Sequence, residues 1–191
     1  MAAKVGIIGK GNVGSAIQRG LAKAGFETRV GDRSDLSDVA AGAEIIVLAV
    51  PYAAIDDVVV ALGTHANGKV VIDATNVLTA EMKLALGFTT SGGEELQKKL
   101  PKAKVVKALN TVFAQHMDSG KLNQQTLTAF AASDDESARN QVLEILRAIG
   151  FDAVSAGGLQ NARHLEALGY LNIQLGYVLG NGPMTGFSYV R

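Results

Sequence analysis

Three glycines in "GKGNVG", Gly9, Gly11 and Gly14, stand at G-x-G-x-x-G spacing between an apolar run and a helical pattern. The first permits a tight strand-to-helix turn. The second lets backbone approach a pyrophosphate, and the third lets the helix pack closely on the strand. The helix start then turns free N–H groups and a positive dipole end toward the phosphates. Asp32 follows Gly14 by 18 residues, and Arg33 and Ser34 come directly after it. An acid at that distance accepts both hydroxyls of an adenosine ribose, as in NAD; a base pairs with a 2′-phosphate, as in NADP. Asp32 and Arg33 argue for different dinucleotides, and spacing alone favours NAD slightly.

Further polar residues fall where apolar runs end. In "AVPYAAI", Pro51 stops a strand and Tyr52 either covers a nicotinamide or ribose or packs as a surface aromatic. In "DATN", Asp73, Thr75 and Asn76 reach a strand end, Asp73 alternatively bracing the loop. In "ALNT", Asn110 and Thr111 would meet the reactive face of the ring, Thr111 alternatively capping a helix. His116 could act as an acid, but reads better as a surface helix position; His164 reads as structural and His65 as part of a surface turn. Lys107 falls in mid-strand, from which its side chain would snorkel out of the sheet. No histidines stand at metal-ligand spacing, and no proton relay is evident, so no residue is assigned a catalytic role and no metal is expected. The redox chemistry that needs neither is direct hydride transfer between stacked cofactors, where the protein supplies distance and orientation.

The elements that must position these residues alternate. "KVGIIG" reads as a strand, "NVGSAIQRGLAKAG" as a helix, "FETRVG" as a strand and "SDLSDVAAGA" as a short helix capped by Ser34. "EIIVLAV", "KVVIDAT" and "AKVVKALN" read as strands separated by the helices "PYAAIDDVVVALG" and "SGGEELQKKLP". "LTAFAAS" is another strand, "DDESARNQVLEILRAIG" a helix with acids at its start and Gly150 after its end, and "FDAVSAG" a last strand. "NARHLEALGYLNIQLGYVLG" reads as one long helix. The βαβαβα order predicts an α/β fold: a doubly wound, mostly parallel, Rossmann-type sheet in a single domain over 1–191, with 151–191 as a strand–helix extension packed on it.

Composition narrows the class. Acids and bases balance at 18 each, so the chain is not built to hold nucleic acid. There is no cysteine, which excludes disulfides and thiol chemistry. The start lacks the pattern of a signal peptide and the apolar runs are too short to span a bilayer, so the expected location is the cytosol, away from the membrane. The apolar "LNIQLGYVLG" suggests packing against a second subunit as a homodimer, and the glycine-rich tail "GNGPMTGFSYVR" could close over the ring site.

"VGIIGKGNVGSAIQRGLAKAGFETRVGDR", "VLAVPYAAI", "KVVIDATN", "KVVKALNTV" and "AGGLQNARHLEAL", in that order, resemble the NADPH-dependent reductases of the deazaflavin coenzyme F-420. They also resemble the cytosolic oxidoreductase domain of the membrane metalloreductases. The resemblance implies a dinucleotide held by Lys10, Gly11, Asn12 and Val13, with adenosine-phosphate recognition around Asp32, Arg33 and Ser34. It places the nicotinamide near Ala49, Val50, Pro51, Thr75 and Ala114, and a deazaflavin or flavin over Asn110, Thr111 and Val112. Two departures matter. Asp32 replaces the family's usual Ser or Thr, which keeps NAD open beside NADP. Asn110 replaces its usual His, which keeps FMN or FAD open beside coenzyme F-420. Without a membrane-spanning half, transmembrane electron transfer is not expected of this chain. The reading that follows is hydride transfer between NADP(H) and a deazaflavin or flavin. The alternatives are an NAD(P)H-dependent reductase of a small imine or carbonyl substrate, and a non-catalytic NADP(H) sensor.

Overall fold

A computed structural model describes residues 3–191. The amino-terminal half is strand–helix alternation: β1 (Lys4–Ile8), α1 (Asn12–Lys23), β2 (Glu27–Gly31), α2 (Leu36–Gly42), β3 (Ile45–Leu48), α3 (Ile55–Leu62) and β4 (Val70–Asp73). It continues with α4 (Gly92–Lys99), β5 (Lys104–Ala108), the hairpin strands β6 (Lys121–Leu122) and β7 (Gln125–Thr126), and β8 (Thr128–Ala132). The chain ends with α5 (Glu136–Ile149), β9 (Asp152–Ser155) and α6 (Ala162–Ile173).

Seven strands form one sheet in the order β2-β1-β3-β4-β5-β8-β9. The first five are mutually parallel, β8 runs antiparallel to β5, and β9 runs parallel to β8. The doubly wound, mostly parallel α/β fold expected from the sequence is what forms. The side on which the chain adds successive strands reverses between β1 and β3, the switch point where such sheets open a crevice at the carboxyl ends of their strands. β9, the strand of the carboxyl-terminal extension, pairs with β8 at the edge of the main sheet.

The inner strands read as unbroken apolar runs because helices cover both faces. Ile7, Ile45 and Val47 pack toward α1 and α5, while Ile8, Ile46 and Leu48 pack toward α2, α3 and α4. Alternate side chains of one strand thus serve opposite cores, and each fully buried Ile or Leu contributes about 1.5–3 kcal/mol. α4 and α5 start on side-chain caps, Ser91 accepting from Glu94 N–H and Asp135 from Ala138 N–H.

Several local expectations need correction. Ser34 does not cap α2; Asp35 precedes it, and the Ser34 hydroxyl donates to Asp32 instead. The helix expected from Pro51 opens as a tight 3-10 turn over Tyr52–Ala54 before α3 begins. The long carboxyl-terminal helix ends at Ile173 and passes into a π-helical turn over Gln174–Val178. The tail does not close over the ring site. Phe187 and Tyr189 are hydrogen-bonded to Thr128 at the start of β8, and Arg191 pairs with Asp152 of β9. Among the described residues no helix is long and apolar enough to cross a membrane.

Candidate functional site

The glycine loop follows β1 at the switch point. Gly9 has φ +123°, and a Cβ there would collide with the Ala49 carbonyl beside it. A Cβ at Gly14 would collide with the Gly9 carbonyl, so α1 lies directly against the loop. Gly11 differs: a Cβ there would meet nothing within 4 Å. Two glycines are required by the protein's own packing, and the third leaves room for something else. Gly11 also occupies the N-cap of α1 with no side chain on the N–H groups and no acid in the first turn. That is the open, positive cradle a pyrophosphate needs.

At the adenosine end, Lys10 reaches across to Asp32 at 2.8 Å and Asp35 at 3.8 Å. Asp32 also accepts from the Ser34 N–H and hydroxyl, at 3.0 and 2.7 Å. The bonds from Lys10 and Ser34 hold the Asp32 carboxyl well below its ordinary range, and the bond to Asp32 raises Lys10. Arg33 pairs with Asp57 of α3 at 2.7 Å. Beneath them lies a mostly apolar slot of about 170 Å³ between Ile8, Leu36, Val50, Ala54, Val58 and Ala61, sized for a base edge. Both bases on this rim are already paired, and Asp32, Asp35 and Asp57 outnumber Lys10 and Arg33 by one.

On the other side of the loop a cleft of about 460 Å³ runs along the strand ends. Gly11, Asn12 and Val13 form one wall, Ala49, Val50, Pro51 and Tyr52 the next, and Ala74, Thr75 and Asn76 the floor, with Leu78, Thr79, Ala80 and Met82 at the margin. Loop, strand ends and polar rim residues predicted separately from sequence therefore meet around one trough. Burial is the leading cause pushing the Tyr52 phenol up; Lys99 opposes it, and Glu166, Glu95 and Asp56 reinforce it. A separate concavity lined by Lys4, Glu27 and Arg29 lies at the opposite ends of β1 and β2, remote from the glycine loop.

Asn110, Thr111 and Val112 are buried, at 3%, 3% and 5% exposure, and none is among the residues lining that trough. Asn110 donates to the Leu165 carbonyl and Thr111 accepts, through its carbonyl, from Asn172. They anchor α6 from below. Leu109, with φ +68°, makes the left-handed turn that directs the chain there. Thr111 caps no helix. His116 is no surface position; it is 2% exposed and its Nε2 meets the Pro183 carbonyl at 3.0 Å. Ala114, half-buried in the same short turn, does not line the cleft.

The larger surprise is Lys107. It does not snorkel. It is fully buried, with Nζ at 3.0 Å from Asp73, 3.0 Å from Glu166 and 2.7 Å from the Thr75 carbonyl. Burial alone would lower this ammonium, but the two carboxylates outweigh it and raise it. Asp73 also accepts from Thr75 N–H and Oγ1, so the bracing role is the one it fills. Glu166 was missed from sequence. A lone acid on a helix face is ordinarily solvated, and its partners are remote in the chain: Lys107 on β5 and the Gly92 and Gly93 N–H groups at the start of α4. The available signal was the apolar company of "HLEALG", which places that position on the inner face.

Residues 31–77 match the family described as "NADP oxidoreductase coenzyme F420-dependent". Metalloreductase STEAP3 of Rattus norvegicus is 28% identical over 187 residues, covering 87% of this chain and 36% of the relative. Metalloreductase STEAP2 of Homo sapiens is 25% identical over 182 residues, covering 86% and 35%. The chain thus spans about a third of the length of these relatives. A crystal structure of a candidate F-420-dependent NADP reductase from Arthrobacter sp. FB24 superposes with a TM-score of 0.92 at 28% identity, covering 100% of both chains. The similarities converge on NAD(P)-dependent oxidoreductases.

Proposed function

We propose, from the premise that this chain is an NAD(P)-dependent oxidoreductase related to the coenzyme F-420-dependent NADP oxidoreductases, that it passes hydride between NADP(H) and a deazaflavin or flavin. One observation carries the choice. The cleft beyond the glycine loop is lined by backbone, amide, hydroxyl and apolar groups, and Tyr52 is the single titratable side chain among its lining residues. A phenol whose pKa is pushed up keeps its proton at neutral pH and cannot serve as a base. Transfer between two rings needs no such group, only close and fixed approach.

The dinucleotide supplies the hydride chemistry when bound; the chain supplies the cradle. The N–H groups at the start of α1 take the pyrophosphate, and the apolar slot takes the adenine. Lys10, Arg33 and Ser34 take the 2′-phosphate, with Asp32 limiting how strongly they favour it. Val50, Pro51 and Tyr52 wall the redox ring from water, and Thr75 and Asn76 form its floor. The relatives support NADP; the excess of acids at the adenosine rim supports weak discrimination against NAD. We place the activity in the cytosol, in a homodimer formed through the exposed apolar segment after α6.

The test is a fluorescence titration with NADPH and NADH, followed by turnover with FMN, FAD and a deazaflavin. Saturable NADPH oxidation that depends on one of the three is expected. Tight binding with no turnover by any of them would sink the flavin reading. Tyr52 carries a second reading: as a phenol within the cleft it can donate a proton to an imine or carbonyl. In that case Tyr52→Phe abolishes reduction of such a substrate without changing nucleotide affinity.

A further inference from the structure

Beneath the cleft floor sits a charge arrangement that the proposed chemistry does not use. Lys107, Asp73 and Glu166 are each at most 2% exposed, and their charges sum to one negative. The hydrogen bonding accounts for both carboxylates in ionised form. Asp73 accepts two bonds from Thr75 and one from Lys107; Glu166 accepts from Gly92, Gly93 and Lys107. Neither has an acceptor neighbour that would require its proton. The two α4 N–H groups on Glu166 offset part of its charge, since a helix start carries only about half a unit.

This charge is close to the cleft. A Cβ at Gly92 would lie 3.2 Å from the Glu166 carboxylate on one side and 3.6 Å from the Tyr52 ring on the other. Tyr52 and Thr75, which flank the triad, both line the cleft. The triad itself is shut away from solvent, so its field is weakly screened at its source. Glu166 is among the charges that push the Tyr52 phenol up, after burial itself, while Lys99 opposes them.

Nicotinamide changes charge when it gives up hydride. Loss of two electrons and one proton takes the ring from neutral to singly positive. A fixed negative charge beside it stabilises the oxidised ring and leaves the reduced ring nearly unaffected. We infer that the buried Lys107–Asp73–Glu166 triad makes this cleft bind oxidised dinucleotide in preference to reduced, poising bound NAD(P)H as a hydride donor. The inference rests on the proposal that the cleft takes the nicotinamide. It assigns Glu166 and Asp73 an electrostatic role in addition to holding Thr75 and α4.

The experiment is calorimetric titration of the full chain with NADP⁺, NADPH and 2′,5′-ADP, in the wild type and in Glu166→Gln. The wild type is expected to bind NADP⁺ more tightly than NADPH. Glu166→Gln should shrink that ratio on the order of fivefold while leaving 2′,5′-ADP affinity unchanged. Asp73→Asn gives the same sign should Glu166→Gln not fold. Arg163→Met is the structural control. It breaks the Arg163–Glu94 tie between α6 and α4 without touching the triad's charge, so it should move both dinucleotide affinities together and leave their ratio intact. A ratio unchanged in both charge variants, with both dinucleotides still binding, overturns the inference. Failure of all three ligands to bind the wild type would instead overturn the dinucleotide reading beneath it.

Discussion

At the residue scale, the adenosine rim sets cofactor choice through few side chains. Asp32 is engaged by Lys10 and Ser34, and Arg33 by Asp57, so a 2′-phosphate must draw both bases away from acids. Asp32→Ser removes the repulsion and frees Lys10; the NADPH-to-NADH affinity ratio should rise roughly tenfold. Arg33→Ala should lower the ratio by about the same factor. An unchanged ratio in Asp32→Ser, measured by paired titrations, would mean that Asp32 does not face the ribose. The glycine loop makes a second, sharper prediction. Gly14→Ala places a methyl on the Gly9 carbonyl, so α1 must shift from the loop, and nucleotide binding should fall at least tenfold. Gly11→Ala has open space and should keep the fold, its thermal midpoint near wild type, while weakening binding sterically. Both outcomes are read by comparing melting curves with titrations. The glycine spacing was legible because every residue in it is local. The Lys10–Asp32 pair was not, because spacing gives a residue's place on the rim and not which neighbour its side chain reaches.

At the element scale, α6 is what the sequence concealed. Its "NARHLEAL" is part of the resemblance, yet none of its residues lines the cleft. Arg163 grips Glu94 of α4 at 2.6 Å, Glu166 takes the α4 start, and Gly169 is pressed against Asn110 and Asn76. The segment clamps two helices over the strand ends that form the floor. Strands and first helices were readable from periodicity, since each buries a regular apolar face. Lys107 was misread because a lysine in an apolar run suggests escape to solvent unless its counter-charges are known, and those come from β4 and α6. The clamp has a pH signature. The Arg163 bond leads in lowering the Glu94 pKa below its ordinary 4.5, burial opposing it. A depressed carboxyl contributes its full stability above the unfolded value and loses it as pH falls through the folded value. Arg163→Met should therefore lower Tm at pH 7 by roughly 2–8 °C. The gap between variant and wild type should narrow below pH 4.5, where protonation of Glu94 takes from the wild type the bond that the variant already lacks. A constant gap down to acid unfolding would show that Arg163 acts by packing alone.

At the scale of the whole molecule, the carboxyl-terminal stretch is held in place yet leaves apolar surface uncovered. Residues after Ile173 leave α-helical geometry through the π turn, and the tail is tied back by His116 to Pro183, Asn172 to Thr185, and Thr128 to Phe187 and Tyr189. That path runs beyond β5 toward β8 and β9, and no tail residue lines the cleft. It nevertheless presents Tyr177, Val178, Leu179 and Met184 at 54%, 60%, 68% and 55% exposure. Single exposed apolar residues are ordinary; a contiguous set on a segment with this many tethers is the signature of an interface. Burying them against the same segment of a second copy would form a two-fold contact, the commonest way soluble chains assemble. Light scattering at micromolar concentration should therefore give twice the 19.8 kDa of one chain. Leu179→Asp should return it to one chain, because two like charges would then face each other at the centre of the contact. Since none of these residues lines the cleft, NADPH affinity in Leu179→Asp should stay within about twofold of wild type, well under 1 kcal/mol. A wild-type mass of one chain removes the dimer. A large loss of affinity in the monomeric variant would mean instead that the second copy helps to hold the site in shape.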